Sequence, residues 1–369
     1  MFGRRSWAKA AVAAVAAATM MLSACGGREA TETDPGGEAT AGGFETGSLI
    51  GVSLPQKTSE NWVLAESLFN DGLTEAGYEA DVQFANSGAS EQQNQIQSMI
   101  TKGAKVIIVG AVDGSQLGAQ VQQAKDAGIT VIAYDRLLLN TAAVDYYVAF
   151  DPYKVGELQG QALLDGLAER KGEAPYNIEL IAGSPDDANT ANFFNGAMSV
   201  LQPKIDDGTL EIPSGQVAMD QVATQGWKAE NVQRRMDTIL SGNYSGDTTL
   251  DGVLSPNDTL ARAALTSAAS AGADTPVVTG QDSEVESVKS ILAGEQYMTI
   301  YKDTRELVNQ SIAMVDALQT GAEPEINDTE SYDNGAKVVP AYNLEPVVVT
   351  EANAREVYAD DPILQSELG

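Results

Sequence analysis

Residues 106–134 read VIIVGAVDGSQLGAQVQQAKDAGITVIAY, and this stretch indicates the fold of the chain. Val106–Val109 is a short, continuous apolar run, which is typical of a strand that is covered on both faces. Ser115–Ala127 follows with a helical pattern and ends at Gly128, and Thr130–Tyr134 is a second apolar run. A strand, a helix and a strand of these lengths predict a parallel βαβ unit.

The same alternation extends from this unit in both directions along the chain, and it restarts after Asp151. The other predicted strands are Leu49–Leu54, Ala80–Ala85, Asp145–Phe150, Ile178–Ile181, Gln216–Met219, Gly252–Leu254, Pro276–Thr279 and Tyr297–Tyr301. The main predicted helices are Asn61–Ala76, Ser90–Lys102, Lys154–Glu169, Asn189–Leu201, Thr224–Leu240, Asp258–Ala271, Glu284–Leu292 and Thr304–Gln319. Because these strands are too many for one ordinary sheet, we predict an α/β protein with two doubly wound lobes.

The first 25 residues have the pattern of a secretion signal. A short apolar run, Ala10 to Leu22, follows the basic residues Arg4, Arg5 and Lys9. The run is short for the ~30 Å hydrocarbon core of a membrane. Its ending, Leu22-Ser23-Ala24-Cys25, resembles a bacterial lipobox, which implies cleavage before Cys25 and lipidation of its sulfur. The alternatives are a plain secretory signal or a short transmembrane anchor.

These observations divide the start of the chain into a lipoprotein signal peptide at 1–24 and a flexible tether at 25–47. The tether is predicted because this segment is rich in Gly, Thr, Glu, Asp and Ala and has almost no large apolar residue. The protein is then expected outside the cytoplasm, anchored to the outer face of the cell membrane through Cys25.

Composition excludes several classes of function. The chain has no histidine and one cysteine, so Ser-His-Asp and Cys-His catalysis, internal disulfides and cysteine-based zinc sites are excluded. The formal net charge of −30 disfavours nucleic-acid binding. Metal sites made of carboxylates alone remain possible, but no Asp-x-Asp-x-Asp-Gly spacing is present, so we do not predict bound calcium. We predict no cofactor and no other metal.

Charged and amide side chains follow five of the predicted strands, at the edge where open parallel sheets bind ligands. They are Asp135-Arg136, Asp186-Asp187 with Asn189, Asn257-Asp258, Asp282 and Lys302-Asp303. Asp187, Asn189, Asn257 and Asp258 have the alternative role of capping the helix that follows. Asp acceptors with Arg, Asn and Lys donors suit a neutral polyol, whose hydroxyls both donate and accept.

Aromatic rings would cover the C–H faces of a sugar bound at this edge. Of the three tryptophans, Trp7 lies in the signal, whereas Trp62 and Trp227 each begin a predicted helix. Core packing is the alternative role of both, but their position at helix starts favours ligand contact.

Several motifs in order resemble those of periplasmic sugar-binding proteins of ABC importers, of the ribose/galactose type and its multiple-sugar and xylose-binding branch. The motifs are 131–136 (VIAYDR), 183–187 (GSPDD), 254–258 (LSPND), 287–291 (SVKSI) and 302–307 (KDTREL), and the likeness runs from about Gly51 to Val349. The resemblance implies a type I periplasmic binding protein, in which three chain crossings join two lobes that close on the sugar.

The resemblance places the crossings near 150–151, 300–302 and 332–339. The N-terminal lobe is then expected at 48–150 and 303–335, and the C-terminal lobe at 151–302 and 336–369. It implies a non-catalytic monomer that binds an aldose such as xylose, glucose, galactose or arabinose and delivers it to an ABC permease. The implied ligand-binding residues are Asn61, Trp62, Asp135, Arg136, Asn189, Trp227, Asp258, Asp282 and Lys302.

Two departures from the family pattern bear on the choice of sugar. Close relatives have Arg where this chain has Asn61, and Asn-Asn where it has Ala188-Asn189. Two other functions stay open at this point. One is a sensor that presents its liganded form to a chemoreceptor or kinase, and the other is a glycosidase that uses two of Asp135, Asp258 and Asp282.

Overall fold

The computed structural model describes residues 43–57, 59–86 and 88–368. The strands are β1 Leu49–Leu54, β2 Glu79–Phe84, β3 Val106–Val109, β4 Thr130–Tyr134, β5 Tyr146–Phe150, β6 Tyr176–Leu180, β7 Leu210–Glu211, β8 Gly252–Leu254, β9 Val277–Val278, β10 Met298–Tyr301, β11 Ala341–Leu344 and β12 Val347–Thr350. The helices are α1 Glu60–Glu75, α2 Ala89–Lys102, α3 Gly118–Asp126, α4 Pro152–Arg170, α5 Ala188–Asp206, α6 Met219–Val222, α7 Ala229–Asn243, α8 Asp258–Ser270, α9 Val285–Leu292, α10 Thr304–Gln319, α11 Ala354–Val357 and α12 Pro362–Glu367.

The first lobe is built on a six-stranded parallel sheet in the order β11-β5-β4-β3-β1-β2. Helices α1 and α10 pack together on one side of it, and α2 and α3 pack on the other. All four residues of β3 are buried, as its continuous apolar run predicts. The strand order reverses between β1 and β3, which places a ligand-binding crevice at their carboxyl ends.

The second lobe repeats this plan with four parallel strands in the order β7-β6-β8-β9. Its order reverses between β6 and β8, so its crevice lies at the carboxyl ends of those two strands. One core cluster joins the sheet to α4, α5, α7 and α8. The predicted α/β fold with two doubly wound lobes is therefore confirmed.

The chain crosses between the sheets at three places. It leaves the first sheet after Phe150, returns to the first lobe after Tyr301, and leaves again after Leu344. The third crossing was expected near 332–339, with 336–369 in the second lobe. This is wrong for 341–344, because β11 pairs in parallel with β5 as an edge strand of the first sheet. Antiparallel pairing of β12 with β10 then brings the chain to the second lobe.

The predicted strand Gln216–Met219 is absent. Val217 is 44% exposed, so this stretch has no buried face, and a short helix, α6, begins at Met219 instead. The small strand β7 pairs with β6 at the edge of the second sheet. The predicted helix 224–240 is a 3₁₀ turn, Gln225–Trp227, followed by α7.

The start of the folded body lies earlier than expected. Phe44 was assigned to the flexible tether, but its backbone N–H donates to the Gln319 oxygen at 3.1 Å and its ring packs against Tyr78. Phe44 is a large apolar residue in an otherwise polar segment, which explains why the chain is held there. The signal peptide, Cys25 and the tether up to residue 42 lie outside the described residues.

Over the described ranges, the structure has no helix long and apolar enough to cross a membrane.

Helices α4 and α5 approach each other closely at three glycines. A Cβ atom on Gly156 would lie 2.1 Å from the Phe193 carbonyl oxygen, and one on Gly196 would lie 2.1 Å from the Tyr153 oxygen. A Cβ on Gly160 would meet the Ala197 oxygen at 2.8 Å. These atoms belong to helix backbones, which cannot move independently of the helices that carry them. The glycines therefore set the distance between α4 and α5.

Replacement Gly196→Ala is expected to destabilise the protein by about 1–3 kcal/mol, since the two helices must separate. The measurement is the free energy of unfolding in urea. Gly242→Ala is the matched control, because Gly242 lies in α7 with open space around it. That change should stabilise the protein by about 0.5–1 kcal/mol through helix propensity. Equal effects of the two changes would contradict the close-packing argument.

Candidate functional site

A small cavity, with about 30 Å³ of room for the centres of water-sized molecules, lies where the carboxyl ends of the two sheets face each other. Its lining comes from both lobes and from the second crossing. The lining residues are Ser59, Asn61, Trp62, Asp135, Arg136, Asp187, Asn189, Phe193, Trp227, Asn257, Gln281, Asp282 and Lys302.

The first lobe presents Asp135 and Arg136 directly after β4. Asp135 adopts a left-handed backbone conformation with φ of 59°, and its N–H donates to the Val148 oxygen at 2.9 Å. This turn ends the strand and directs the chain across the sheet edge. The buried Arg136 guanidinium donates from Nη1 to the Ala111 oxygen at 3.1 Å, and its Cζ lies 5.3 Å from the centre of the Trp62 ring. Asp135 and Arg136 are thus fixed by backbone contacts.

Trp62 lies in the first turn of α1 and is only 5% exposed. Its ring packs edge-on against Tyr134, at 6.0 Å between ring centres. A Cβ on Gly110 would lie 3.1 Å from Trp62 Cζ3, so the missing side chain at 110 makes room for the indole. Tyr134 and the backbone at Gly110 thus support the Trp62 ring on its sheet side, and the ring lines the cavity.

Asp187 links the two lobes at the cavity. It is the N-cap of α5, where Oδ1 accepts from the Asn189 N–H at 2.9 Å. Its other oxygen, Oδ2, accepts from Trp227 Nε1 at 3.1 Å and lies 2.9 Å from Arg136 Nε. Burial raises the pKa of Asp187, and the Arg136 charge opposes this rise. One carboxylate therefore caps a helix, orients an indole and contacts the opposite lobe.

Trp227 occupies the space beside a glycine, as Trp62 does. A Cβ on Gly183 would lie 2.2 Å from the Trp227 ring. Gly226 and Trp227 are both left-handed, with φ of 68° and 56°, and the Trp227 N–H donates to the Thr224 oxygen at 3.0 Å. This tight turn points the buried indole toward the cavity instead of continuing the helix.

Asn257 and Gln281 complete the second-lobe wall. Asn257 caps α8 through Oδ1, which accepts from the Leu260 N–H at 3.0 Å, so its amide nitrogen remains for the cavity. Gln281 is 3% exposed and follows β9. Both residues lie at strand ends, which is the signal that identified the other members of the site.

Lys302 lies on the second crossing and is surrounded by charge from both lobes. Its Nζ is 3.2 Å from Asp282 Oδ1 and 3.6 Å from Asp135 Oδ2, and it lies 6.0 Å from the centre of the Phe193 ring. Burial alone would lower the pKa of Lys302, but the two carboxylates raise it above its usual range. Lys302 is therefore protonated at neutral pH.

The lobes contact each other directly over the cavity. Asn189 Nδ2 donates to the Asp135 backbone oxygen at 2.9 Å, and the Glu60 carboxylate accepts from the Val285 N–H at 3.0 Å. The structure is thus a closed arrangement in which the lining residues are shielded from bulk water.

Four buried side-chain atoms on this lining make no hydrogen bond with any other described residue. Asn189 Oδ1 and Gln281 Oε1 have no partner, while Arg136 Nε and Asp282 Oδ1 face an opposite charge without hydrogen-bond geometry. Buried polar groups are nearly always paired, so unpaired atoms grouped around one cavity indicate a polar ligand.

Eight of the nine residues expected at the ligand line the cavity, and Asp258 does not. The structure brings together Asn61, Trp62, Asp135, Arg136, Asn189, Trp227, Asp282 and Lys302. Asp258 is fully buried behind the wall, where its neighbour Asn257 faces the cavity instead. Burial and the nearby Glu284 carboxylate raise the pKa of Asp258.

Five lining residues were not among the nine expected to bind the ligand: Ser59, Asp187, Phe193, Asn257 and Gln281. Asp187 and Asn257 were noted as helix caps, and they are caps that also face the cavity. Gln281 follows β9, so the strand-end pattern could have identified it. Phe193 lies one helical turn after Asn189, on the same face of α5.

The lining has a chemical character that suits a small neutral molecule with many hydroxyls. Asp, Asn and Gln oxygens accept, Arg, Lys and amide nitrogens donate, and three aromatic rings offer apolar faces. The described residues contain no group of three or more acidic, His or Cys side chains placed to hold a metal ion.

Comparison with known proteins agrees with this geometry. Residues 50–323 match the family described as "Periplasmic binding protein domain". This chain belongs to the periplasmic binding proteins. The multiple sugar-binding periplasmic receptor ChvE of Rhizobium radiobacter is 48% identical over 316 residues, which cover 84% of this chain and 89% of ChvE. The D-xylose-binding periplasmic protein of Escherichia coli K12 is 33% identical over 313 residues, covering 85% and 89% of the two chains.

A solved structure of similar sequence is also similar in fold. It is an ABC transporter solute-binding protein of Clostridium phytofermentans with bound β-D-glucose, 41% identical, with a TM-score of 0.82. The alignment covers 87% of this periplasmic binding protein and all of that chain.

Replacement of Lys302 by Met is expected to destabilise this periplasmic binding protein by about 3–5 kcal/mol at pH 7, because Asp135 and Asp282 lose their shared cation. Burial already raises the pKa of Asp282, and Lys302 opposes that rise. Without Lys302 the pKa of Asp282 in the folded state rises further above the unfolded value of about 3.9.

Protonation of Asp282 then stabilises the folded K302M variant at low pH, and this stabilisation is lost as the pH rises. The stability difference between wild type and K302M should therefore grow between about pH 4 and pH 7. Urea unfolding at a series of pH values measures it. Lys57→Met is the control, since Lys57 pairs with Glu66 on the surface and should contribute less than about 1 kcal/mol. A pH-independent difference would contradict the assignment.

Proposed function

We propose that this protein is an extracytoplasmic, lipid-anchored receptor that binds a monosaccharide between its lobes and delivers it to an ABC transporter permease. The single observation that carries the proposal is the closed cavity, in which two indoles and unpaired buried polar atoms face one small volume. Because these groups are complementary to hydroxyls and C–H faces together, an aldose is the ligand class that satisfies most of them.

The relatives narrow the choice of sugar. The relative from Clostridium phytofermentans holds β-D-glucose, and the Escherichia coli relative is named for D-xylose. We therefore take D-glucose and D-xylose as the first ligands to test. Asn61 stands where close relatives are expected to have Arg, so the preference among sugars need not follow theirs.

Eleven of the lining residues have a defined part in this proposal. Trp62 and Trp227 stack on the two faces of the sugar, and Asp135 and Arg136 bind hydroxyls from the first lobe. Asn189 and Asp282 bind from the second lobe, and Lys302 binds from the crossing, with Asn61 beside Trp62. Asn257, Gln281 and Asp187 join this set because they face the same cavity.

Hinge closure couples binding to delivery. The lining is divided between the two lobes, so a sugar that contacts both sides binds the closed form better and shifts the population toward it. The permease then recognises a surface that exists only when both lobes are closed. This role is binding and transfer rather than catalysis.

Titration of the protein from residue 43 onward with D-glucose or D-xylose is expected to show saturable binding. Trp62 and Trp227 are the only tryptophans after the signal, so tryptophan fluorescence, excited selectively over tyrosine, reports on the cavity. Trp62→Ala and Trp227→Ala should each weaken binding about thirty-fold or more, as loss of a central aromatic contact does. Phe at either position should restore part of the affinity.

Tyr153→Ala is the matched control, since Tyr153 is an aromatic residue that is 42% exposed on α4. It should leave the affinity unchanged. A ligand present at about 100 times its dissociation constant should also add about 2.7 kcal/mol to the stability. X-ray scattering should show compaction on binding. Absence of saturable binding to any monosaccharide would refute the proposed ligand class.

The membrane anchor is tested separately in the full chain, produced in a bacterium that lipidates its own exported proteins. Cys25→Ser should move the protein from the membrane fraction to the soluble fraction, because Cys25 is the sole cysteine. Met21→Leu, four residues earlier, is the control and should remain with the membrane. Equal retention of both variants would show that the anchor is not the Cys25 lipid.

A further inference from the structure

We infer that Asp258 is a positioning residue whose buried carboxylate holds residues 280–284 in the shape that brings Gln281 and Asp282 to the cavity. Asp258 is 0% exposed and is the first residue of α8. It was expected to contact the ligand, but it does not line the cavity. The inference rests on the proposed function, since it assigns to Asp258 an effect on the sugar-binding site.

Four hydrogen bonds join Asp258 to four residues in two other segments of the chain. Oδ1 accepts from Gln296 Nε2 at 2.8 Å, and Oδ2 accepts from the Glu284 N–H at 3.0 Å and from Thr299 Oγ1 at 2.9 Å. The Asp258 N–H donates to the Gln281 oxygen at 3.1 Å. Asp258 therefore fixes residues 280–284 near both of their ends.

Thr299 connects Asp258 to Ser283, which lies within residues 280–284. The Thr299 hydroxyl donates to Asp258 Oδ2, and the same oxygen accepts from the Ser283 N–H at 3.3 Å. Reorienting the hydroxyl would lose one of the two contacts. The orientation of Thr299, and with it the hold on Ser283, thus depends on the Asp258 carboxylate.

The segment needs such support because its backbone is unfavourable. Asp282 and Ser283 are consecutive left-handed residues, with φ of 92° and 51°, and neither is glycine. Such conformations persist only where the surroundings hold them. A Cβ on Gly280 would lie 2.0 Å from Asp258 Oδ1, so the chain wraps tightly around the carboxylate.

The carboxylate is held without a cation of its own. The nearby basic residues pair with other acids, Lys302 with Asp282 and Arg262 with Glu284. An uncompensated buried carboxylate is unfavourable by itself. The favourable interactions of the Asp258 carboxylate are its hydrogen bonds to the wall of the cavity. We therefore assign Asp258 a role in shaping that wall.

The primary test is Asp258→Asn. The side-chain amide keeps the size but offers one acceptor oxygen, so its NH2 group either faces the Glu284 N–H donor or requires the Gln296 amide to turn and lose its bond to the Met298 oxygen. D-glucose affinity, measured on the folded protein, is expected to fall about tenfold or more. Combination with Asp282→Asn should give less than the product of the two separate losses, because both changes act on the same contact.

Asp251→Asn is the matched control. Asp251 lies in the same lobe before β8, at the end of the strand away from the cavity, and accepts from the Asn177 N–H at 2.8 Å and from Thr249 at 3.1 Å. It should lower stability without changing affinity. Unchanged affinity of D258N, or losses that multiply independently with D282N, would overturn the inference. If D258N does not fold, Thr299→Val removes the same hold on Ser283 and should also weaken binding.

Amide hydrogen exchange without any sugar separates this inference from the proposed function. In D258N, or in T299V, exchange at residues 281–284 should accelerate while β6 stays protected. Unchanged exchange at 281–284 would overturn the positioning role even if sugar binds. If the wild type binds no sugar, the proposed ligand class fails, and local exchange still decides whether Asp258 shapes the wall.

Discussion

The site depends on one buried ammonium group. Lys302 lies on a crossing between the lobes and is within 3.6 Å of a carboxylate from each of them, Asp135 and Asp282. Two carboxylates brought together away from water would repel each other and resist ionisation, which would oppose closure. The ammonium converts this repulsion into an attraction that both lobes share. The Asp135 backbone oxygen also accepts from Asn189 of the second lobe. Asp135 therefore takes part both in the charge pair with Lys302 and in a direct hydrogen bond between the lobes.

The architecture was predictable where local pattern decides structure. The 106–134 stretch forms its βαβ unit because a fully apolar strand, an amphipathic helix and a glycine stop agree with one another. The predicted strand at 216–219 did not form because this stretch has one β-branched residue, Val217, and no buried face. The edge strand β11 was missed for a related reason: its pairing with β5 is a long-range contact that no local periodicity encodes.

The site was predictable to the extent that strand ends converge in a parallel sheet. That rule found Asp135, Arg136, Asn189, Asp282 and Lys302, but it could not tell which member of an Asn-Asp pair faces the ligand. At positions 257 and 258, the geometry of the α8 N-cap determines which of the two side chains faces the cavity. The Asn257 side chain accepts from the Leu260 N–H at the cavity edge. The next residue, Asp258, then points into the lobe. Asp187 shows that capping and site contact are compatible roles rather than alternatives.

The unpaired atoms of the closed form explain why a ligand would control closure. Asn189 Oδ1 and Gln281 Oε1 are buried without partners, and each such atom disfavours the closed form by about 1–3 kcal/mol. A polyol that supplies both hydrogen bonds removes about 2–6 kcal/mol of this penalty, before any stacking on Trp62 or Trp227. Moving an equilibrium from 1:99 to 99:1 requires about 5.5 kcal/mol of differential binding. At its upper end this contribution reaches that value, so the missing hydrogen bonds would supply much of the sugar-dependent closure proposed above.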